Sequence, residues 1–225
     1  MSTIAENSLA APVAFPTNWT VADLQAHLGG VPVSRIRLYP APGTATEEDA
    51  LRLDDHEDVI CELVDGVLVE KVMSSFESLL AMMLVRILGT YLDAHDVGFL
   101  LGEGGQLRIL PTRMRVPDVT FIRWDRLPGG KLPTDRVFKI APDLAVEILS
   151  DGNTIKEMEL KLGEYFEAGV RLVWYIDPVS RTARVYTTRE RSETIDTSGT
   201  LDGGEVLPGF QLRLGELFER ADRRR

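Results

Sequence analysis

Two short apolar stretches, each interrupted by a single carboxylate, constrain this chain more than any other feature. They are residues 116–122, VPDVTFI, and 143–149, DLAVEIL. Both read as β-strands, since β-branched and aromatic residues dominate and strand side chains alternate between faces. Alternation puts Val116, Asp118, Thr120 and Ile122 on one face of the first strand. In the second, Leu144, Val146 and Ile148 form a wholly apolar face, while Asp143, Ala145, Glu147 and Leu149 share the other. A carboxylate in a half-buried strand is costly unless paired, hydrogen-bonded or metal-bound. The plain reading gives Asp118 and Glu147 structural partners, an Arg or backbone amides. The functional reading gives them a hard cation, because Mg²⁺ takes one or two protein carboxylates and keeps several waters.

The segment after the second strand bears on that choice. Thr154 and Glu157 form a capping box, in which each side chain satisfies a free backbone amide. The helix it opens runs to Ala168 and stops at Gly169. Ile155, Met158, Leu162, Tyr165 and Phe166 set its buried stripe, and about 100° per residue leaves Lys161 on the flank and Lys156 in solvent. From the flank, Lys161 can reach back toward Glu147. Its alternative use is an i,i+4 pair with Glu157, worth only about 0.2–0.5 kcal/mol. A lysine beside two metal-binding carboxylates can orient an attacking water or stabilise pentavalent charge.

Thr20 is placed to cap a short helix, VADLQAHL, that ends at Gly29 and Gly30, and another short helix falls around 46–56. The runs 59–64 and 67–72 flank Asp65-Gly66, a strong hairpin signal. Residues 77–95 are apolar on most sides and read as a largely buried helix. Strands at 97–101 and 105–110 surround the turn Gly102-Glu103-Gly104-Gly105. A loop at 124–141 is long enough to be a functional element. Residues 171–177 and 183–187 form a second hairpin, and LPGFQLRLGELF closes the chain as a strand and a helix. Helices and strands thus mix around one sheet, an α/β or α+β fold. Residues 1–45 read as an N-terminal tail with an accessory element, and 46–225 as the main domain; Arg223 to Arg225 read as a frayed basic end.

Composition narrows the function. Net charge is −10, which argues against nonspecific nucleic-acid binding through Lys and Arg yet leaves room for a metal-assisted enzyme. Much of the excess is local, in Glu47, Glu48, Asp49, Asp54, Asp55, Glu57 and Asp58, and reads as a solvated helix face. One cysteine, Cys61, excludes a disulfide framework and a CxxC zinc site. No apolar run approaches the roughly 18 residues of a membrane span, and the start carries Glu6 without a basic leader. The expected compartment is the cytoplasm. His27, His56 and His95 lack ligand spacing, and neither GxxxxGK, GxGxxG nor GxSxG occurs.

The segments CELVDGVLVEK (61–71), RVPDVTFI (115–122), APDLAVEILSDGNT (141–154), KLGEYFEAGVRLVWYIDP (161–178) and LPGF (207–210) together resemble the bacterial Uma-two family of restriction-endonuclease-like proteins, within the PD-(D/E)XK nuclease superfamily. The resemblance spans about residues 45–220 in the right order. It implies a restriction-endonuclease-like fold with an αβββαβ core, and a Mg²⁺- or Mn²⁺-dependent endonuclease acting on DNA. Pro117-Asp118 matches the PD element, making Asp118 a metal ligand, and Glu147 matches the acidic position of the next element. The motif lysine expected two residues later is Leu149 here; the family places it on the next helix, as Lys161, one turn before Tyr165. Glu62 matches the ELxDG glutamate. Where many members carry a histidine after the first hairpin, this chain has Ser74-Ser75-Phe76-Glu77-Ser78, so the resemblance implies Glu77 as the substitute; its alternative use is a favourable charge at a helix N-terminus. The expected site is therefore Asp118, Glu147 and Lys161, supported by Glu62, Glu77 and Tyr165, in a homodimer, because cutting both strands takes two sites. The competing reading is a nuclease fold kept as a binding or partner module, favoured by the negative charge and the displaced lysine.

Overall fold

The computed structural model describes residues 13–222. Glu6 and the basic end Arg223–Arg225 lie outside the described residues. Five helices are present among those described: α1 (Val21–His27), α2 (Glu47–Glu57), α3 (Ser75–Ala94), α4 (Ile155–Glu167) and α5 (Leu214–Asp222). The strands are β1 (Cys61–Val64), β2 (Val67–Glu70), β3 (Gly98–Leu101), β4 (Leu107–Leu110), β5 (Arg113–Arg115), β6 (Val119–Arg123), β7 (Leu144–Ile148), β8 (Leu172–Asp177), β9 (Thr182–Tyr186), β10 (Ser192–Ile195), β11 (Thr200–Asp202) and β12 (Gln211–Arg213). The fold is mixed α/β, as the element pattern implies.

The central sheet has six strands in the order β10-β9-β8-β7-β6-β3. Only β7 and β8 run parallel, and α4 is the crossover that such a pair requires. Leu144, Val146, Ile148, Leu172, Trp174 and Ile176 pack on one face against Leu80, Leu84 and Leu88 of α3 and Leu217 and Phe218 of α5. Ala145, Val173 and Tyr175 face the other way, against Met158, Leu162 and Tyr165 of α4. The apolar and carboxylate-bearing faces of 143–149 are thus the two sides of this sheet. Around it, α3, β3, β6, β7, α4 and β8 succeed one another as αβββαβ, with β4 and β5 inserted after β3 and two short helical turns, Trp124–Arg126 and Pro128–Gly130, after β6.

The insertion of β4 and β5 differs from the expected pattern. The strands on either side of the Gly102–Gly105 turn do not pair: β3 pairs with β6, and β4 with β5. The turn carries the chain to a second sheet, ordered β2-β1-β5-β4. The expected strand at 116–122 is correspondingly shorter, with β6 starting at Val119. Pro117 has no N–H to give a ladder, so Val116–Asp118 becomes the step between sheets. The strands β10 and β11 carry no apolar pattern to reveal them, because each has a single apolar residue, Ile195 and Leu201, among exposed polar ones. By length and composition alone, α3 can cross a membrane, contrary to the expectation that no segment would; here its Leu80, Ala81, Leu84 and Leu88 line the sheet core.

Thr20 and Asp23 cap α1 reciprocally. Leu24, Leu28, Val31 and Ile36 then pack on Val64, Val67 and Val69 of the hairpin, so the accessory element lies directly on β1 and β2.

Candidate active site

Register places the two strand carboxylates together. Val119 pairs with Val146, and the Asp118 amide donates to the Val146 carbonyl at 3.0 Å. The next pair along sets Asp118 opposite Glu147, on the face covered by α4. Both are buried, at 3% and 5% exposure. The Ile148 amide donates to Asp118 Oδ2 at 2.6 Å. Tyr165 Oη donates to Glu147 Oε1 at 2.5 Å, and Lys161 Nζ reaches the same oxygen at 3.3 Å.

Lys161 thus makes the contact expected from its place on the flank of α4. Its ammonium also lies 2.9 Å from Glu62 Oε1. Glu157, its alternative partner, is instead held by Arg35 at 2.8 Å. Four of the expected residues, Glu147, Lys161, Glu62 and Tyr165, therefore form one connected cluster, with Asp118 beside it. Glu77 does not join. It accepts from the Ser74 amide at 2.6 Å and completes the N-terminal cap of α3.

Four further residues, Lys71, Arg113, Arg115 and Glu164, belong to the cluster and were not singled out from the sequence. Lys71, just past β2, places Nζ 2.6 Å from Asp118 Oδ1 and also donates to the Val116 carbonyl. Arg115 lies 2.8 Å from Glu62 Oε2 and 2.6 Å from Glu164 Oε2. Arg113 bonds the other oxygen of Glu164 at 2.7 Å. A signal for Lys71 existed: Val69 pairs with Glu62, and alternation returns Lys71 to that face. Nothing local linked that face to Asp118.

Electrostatics here derive from enclosure and pairing. Burial raises the Glu147 pKa, Lys161 offsets part of the rise, and the Asp118 charge adds to it. Burial also opposes ionisation of Glu62, but Lys161 and then Arg115 outweigh it and hold Glu62 well below the usual carboxylate range. Burial disfavours the Lys161 ammonium; Glu147 and Glu62 overcome that and raise its pKa. Burial first, then the charges of Glu147 and Glu62, push Tyr165 well above the ordinary phenol value, so it remains a neutral donor.

The donor set bears on the implied divalent metal. Among the described residues no three His, Cys, Asp or Glu side chains are arranged to hold an ion. Asp118 and Glu147 offer only hard oxygens, and the Asp118 charge raises the cost of ionising Glu147. Two carboxylates so placed fit Mg²⁺, which fills its remaining positions with water and phosphate oxygens. A cleft of about 590 Å³ beside α4 is lined by Leu149, Met158, Tyr175, Arg184 and Tyr186, and by none of Asp118, Glu147 or Lys161.

Comparison with known proteins agrees with the fold. One solved structure, titled "Crystal structure of a putative nuclease belonging to DUF820 from Anabaena variabilis ATCC 29413", is 22% identical, with a TM-score of 0.67 over 77% of this chain and 97% of that one. At that identity the likeness establishes the architecture. No curated protein matches the chain. A family model, Uma2, described as "Putative restriction endonuclease", matches residues 47–215. That match runs through both sheets and every member of the ion cluster, and the chain belongs to the Uma2 family.

Proposed function

We propose that this protein is an endonuclease that hydrolyses phosphodiester bonds in DNA with the help of Mg²⁺ or Mn²⁺, acting in the cytoplasm as a homodimer. The observation that carries the reading is the convergence of Asp118 and Glu147 on one sheet face, with the Lys161 ammonium against Glu147. Asp118 and Glu147 are the residues to hold the metal. When bound, it supplies Lewis acidity and an activated water. The Ile148 amide fixes one Asp118 oxygen, leaving the other directed at Lys71. Tyr165 and Lys161 share one Glu147 oxygen and set the carboxylate's orientation. Glu62, itself gripped by Arg115, holds Lys161 from behind, so its ammonium is preorganised to meet charge that develops on a phosphoryl group.

The test is cleavage of plasmid and of single- and double-stranded oligonucleotides by the purified protein with Mg²⁺ or Mn²⁺. Asp118→Asn and Glu147→Gln are expected to abolish cutting while keeping a cooperative melt. A wild-type protein that leaves every DNA intact refutes the proposal. Sedimentation with and without DNA tests the dimer.

One observation favours the second reading, a nuclease fold serving as a binding module. Both carboxylates already have cations from their own chain, Lys71 on Asp118 and Lys161 on Glu147. DNA binding that is indifferent to divalent ions, with no Mn²⁺ heat in calorimetry, selects it.

A further inference from the structure

A junction beside the cluster is made by a residue outside the family match. Arg35 ends a short helical turn, Val33–Arg35, twelve residues before the matched segment opens at Glu47. It is 6% exposed, and its guanidinium joins three separate parts of the fold. Nε donates to the Glu70 carbonyl at 2.8 Å, the residue before Lys71. Nη1 donates to the Gly152 carbonyl at 2.8 Å, in the loop that leads into α4. Nη1 and Nη2 grip both oxygens of Glu157 at 3.0 and 2.8 Å, one helical turn before Lys161. The neighbouring chain reinforces the junction. Thr154 Oγ1 donates to the Gly29 carbonyl at 2.6 Å, and Gly29 lies so near α4 that a Cβ there would come within 2.6 Å of Glu157 Cα.

We propose that Arg35 is a positioning residue for the active site: one guanidinium fixes the end of β2 and the first turn of α4 together, and so places the Lys71 and Lys161 ammonium groups against Asp118 and Glu147. The two lysines reach the site from different elements, and Arg35 ties the backbone beside one to the helix that carries the other. Only Arg can do this, since its planar fork supplies the bidentate grip on Glu157 and a further donor to Glu70. The catalytic consequence rests on the endonuclease reading; the placement of the lysines does not.

The experiment is competitive lysine labelling read by mass spectrometry on the full-length chain, for wild type, Arg35→Lys and Arg35→Met. In wild type, Lys71 and Lys161 are protected and the exposed Lys156 labels freely. Arg35→Met is expected to expose Lys71 and Lys161 together, Arg35→Lys partly, with Lys156 unchanged. The buried Cys61 thiol serves as a folding control: it stays unreactive in a variant that remains folded. If Arg35→Met does not fold, Arg35→Lys and Glu157→Gln carry the same comparison. In the cleavage assay, kcat is expected to fall about 10- to 100-fold with KM little changed, as misplacement of reacting groups by about 1 Å predicts. Folded variants that keep both lysines as protected as in wild type overturn the proposal, as does unaltered kcat. A wild type that cuts no DNA refutes the endonuclease reading instead, and the labelling still decides the role of Arg35.

Discussion

Replacing Lys161 by Met tests the core of the site without reference to catalysis. The side chain is 2% exposed, and its ammonium lies 2.9 Å from Glu62 and 3.3 Å from Glu147. At an effective dielectric of about 20 these contacts are worth about 6 and 5 kcal/mol of Coulomb attraction. Returning the ammonium to water on unfolding offsets several kcal/mol of that. Arg115 still neutralises Glu62, and Glu147, whose pKa burial already raises, escapes by taking up a proton. The net expectation is therefore the lower end of the cost of breaking a buried pair, about 3 kcal/mol. Its pH dependence has a definite sign. A carboxyl whose folded pKa is raised favours the fold below its unfolded value, 4.5 for Glu147, and loses that contribution as pH rises toward the folded value. The variant's deficit, measured by urea unfolding, should thus grow from pH 5 to pH 8, while wild type retains its Lys161 contribution until pH exceeds 10.5. Adding Glu147→Gln should recover about 1–2 kcal/mol at pH 8 by removing the stranded charge. A Lys161→Met protein within about 1 kcal/mol of wild type, a range usual for a mere surface pair, with a deficit that ignores pH, would show that the ammonium is not held between these carboxylates.

Three other perturbations probe the scaffold. Asp65 sits in the hairpin turn, where burial opposes its charge but His27, Arg113 and Thr112 hold its pKa well below the ordinary 3.8. Its stabilising contribution is complete above that value and is lost as pH falls below it, so Asp65→Asn should flatten the acid limb of a melting-temperature profile; an unchanged limb contradicts the assignment. Gly29 has φ +79 and abuts the backbone of α4, so Gly29→Ala should cost about 2–4 kcal/mol in urea unfolding, and a neutral substitution would mean that α1 does not dock there. Burial pushes the Cys61 thiol up to about 12, so the native protein at pH 8 should not react with Ellman's reagent until denaturant is added; labelling on mixing would place β1 at the surface.

The parts of the site that were readable from sequence are those fixed by short-range periodicity. Alternation in DLAVEIL put Glu147 opposite the apolar face, and the 3.6-residue repeat of α4 put Lys161 on the side that meets it. Glu77 took the local alternative: Ser74-x-x-Glu77 is the same capping signal as Thr154-x-x-Glu157, and it commits the carboxylate to the start of α3. Lys71 and Arg35 were beyond such rules, because each is defined by a contact with a distant segment, Asp118 for one and Glu157 for the other.

These long-range contacts also explain how an acidic chain tolerates buried carboxylates. An unpaired ion inside a protein costs several kcal/mol even after relaxation, so each carboxylate of the cluster needs a cation brought from elsewhere in the sequence. Arg113 and Arg115 of β5 hold Glu164 of α4, Arg115 and Lys161 hold Glu62 of β1, and Lys71 beyond β2 holds Asp118. An ionic chain of contacts therefore joins the two sheets, beside the apolar packing of Leu107 and Ile109 of β4 with Ile122 of β6 and Tyr165 of α4, and it runs through the residues proposed to bind metal. Removing any one cation should be felt by both sheets. That coupling ties the stability of the hairpin to the geometry of the site, and it is why substitutions at Lys161 and Arg35 are expected to register in unfolding and labelling before any substrate is known.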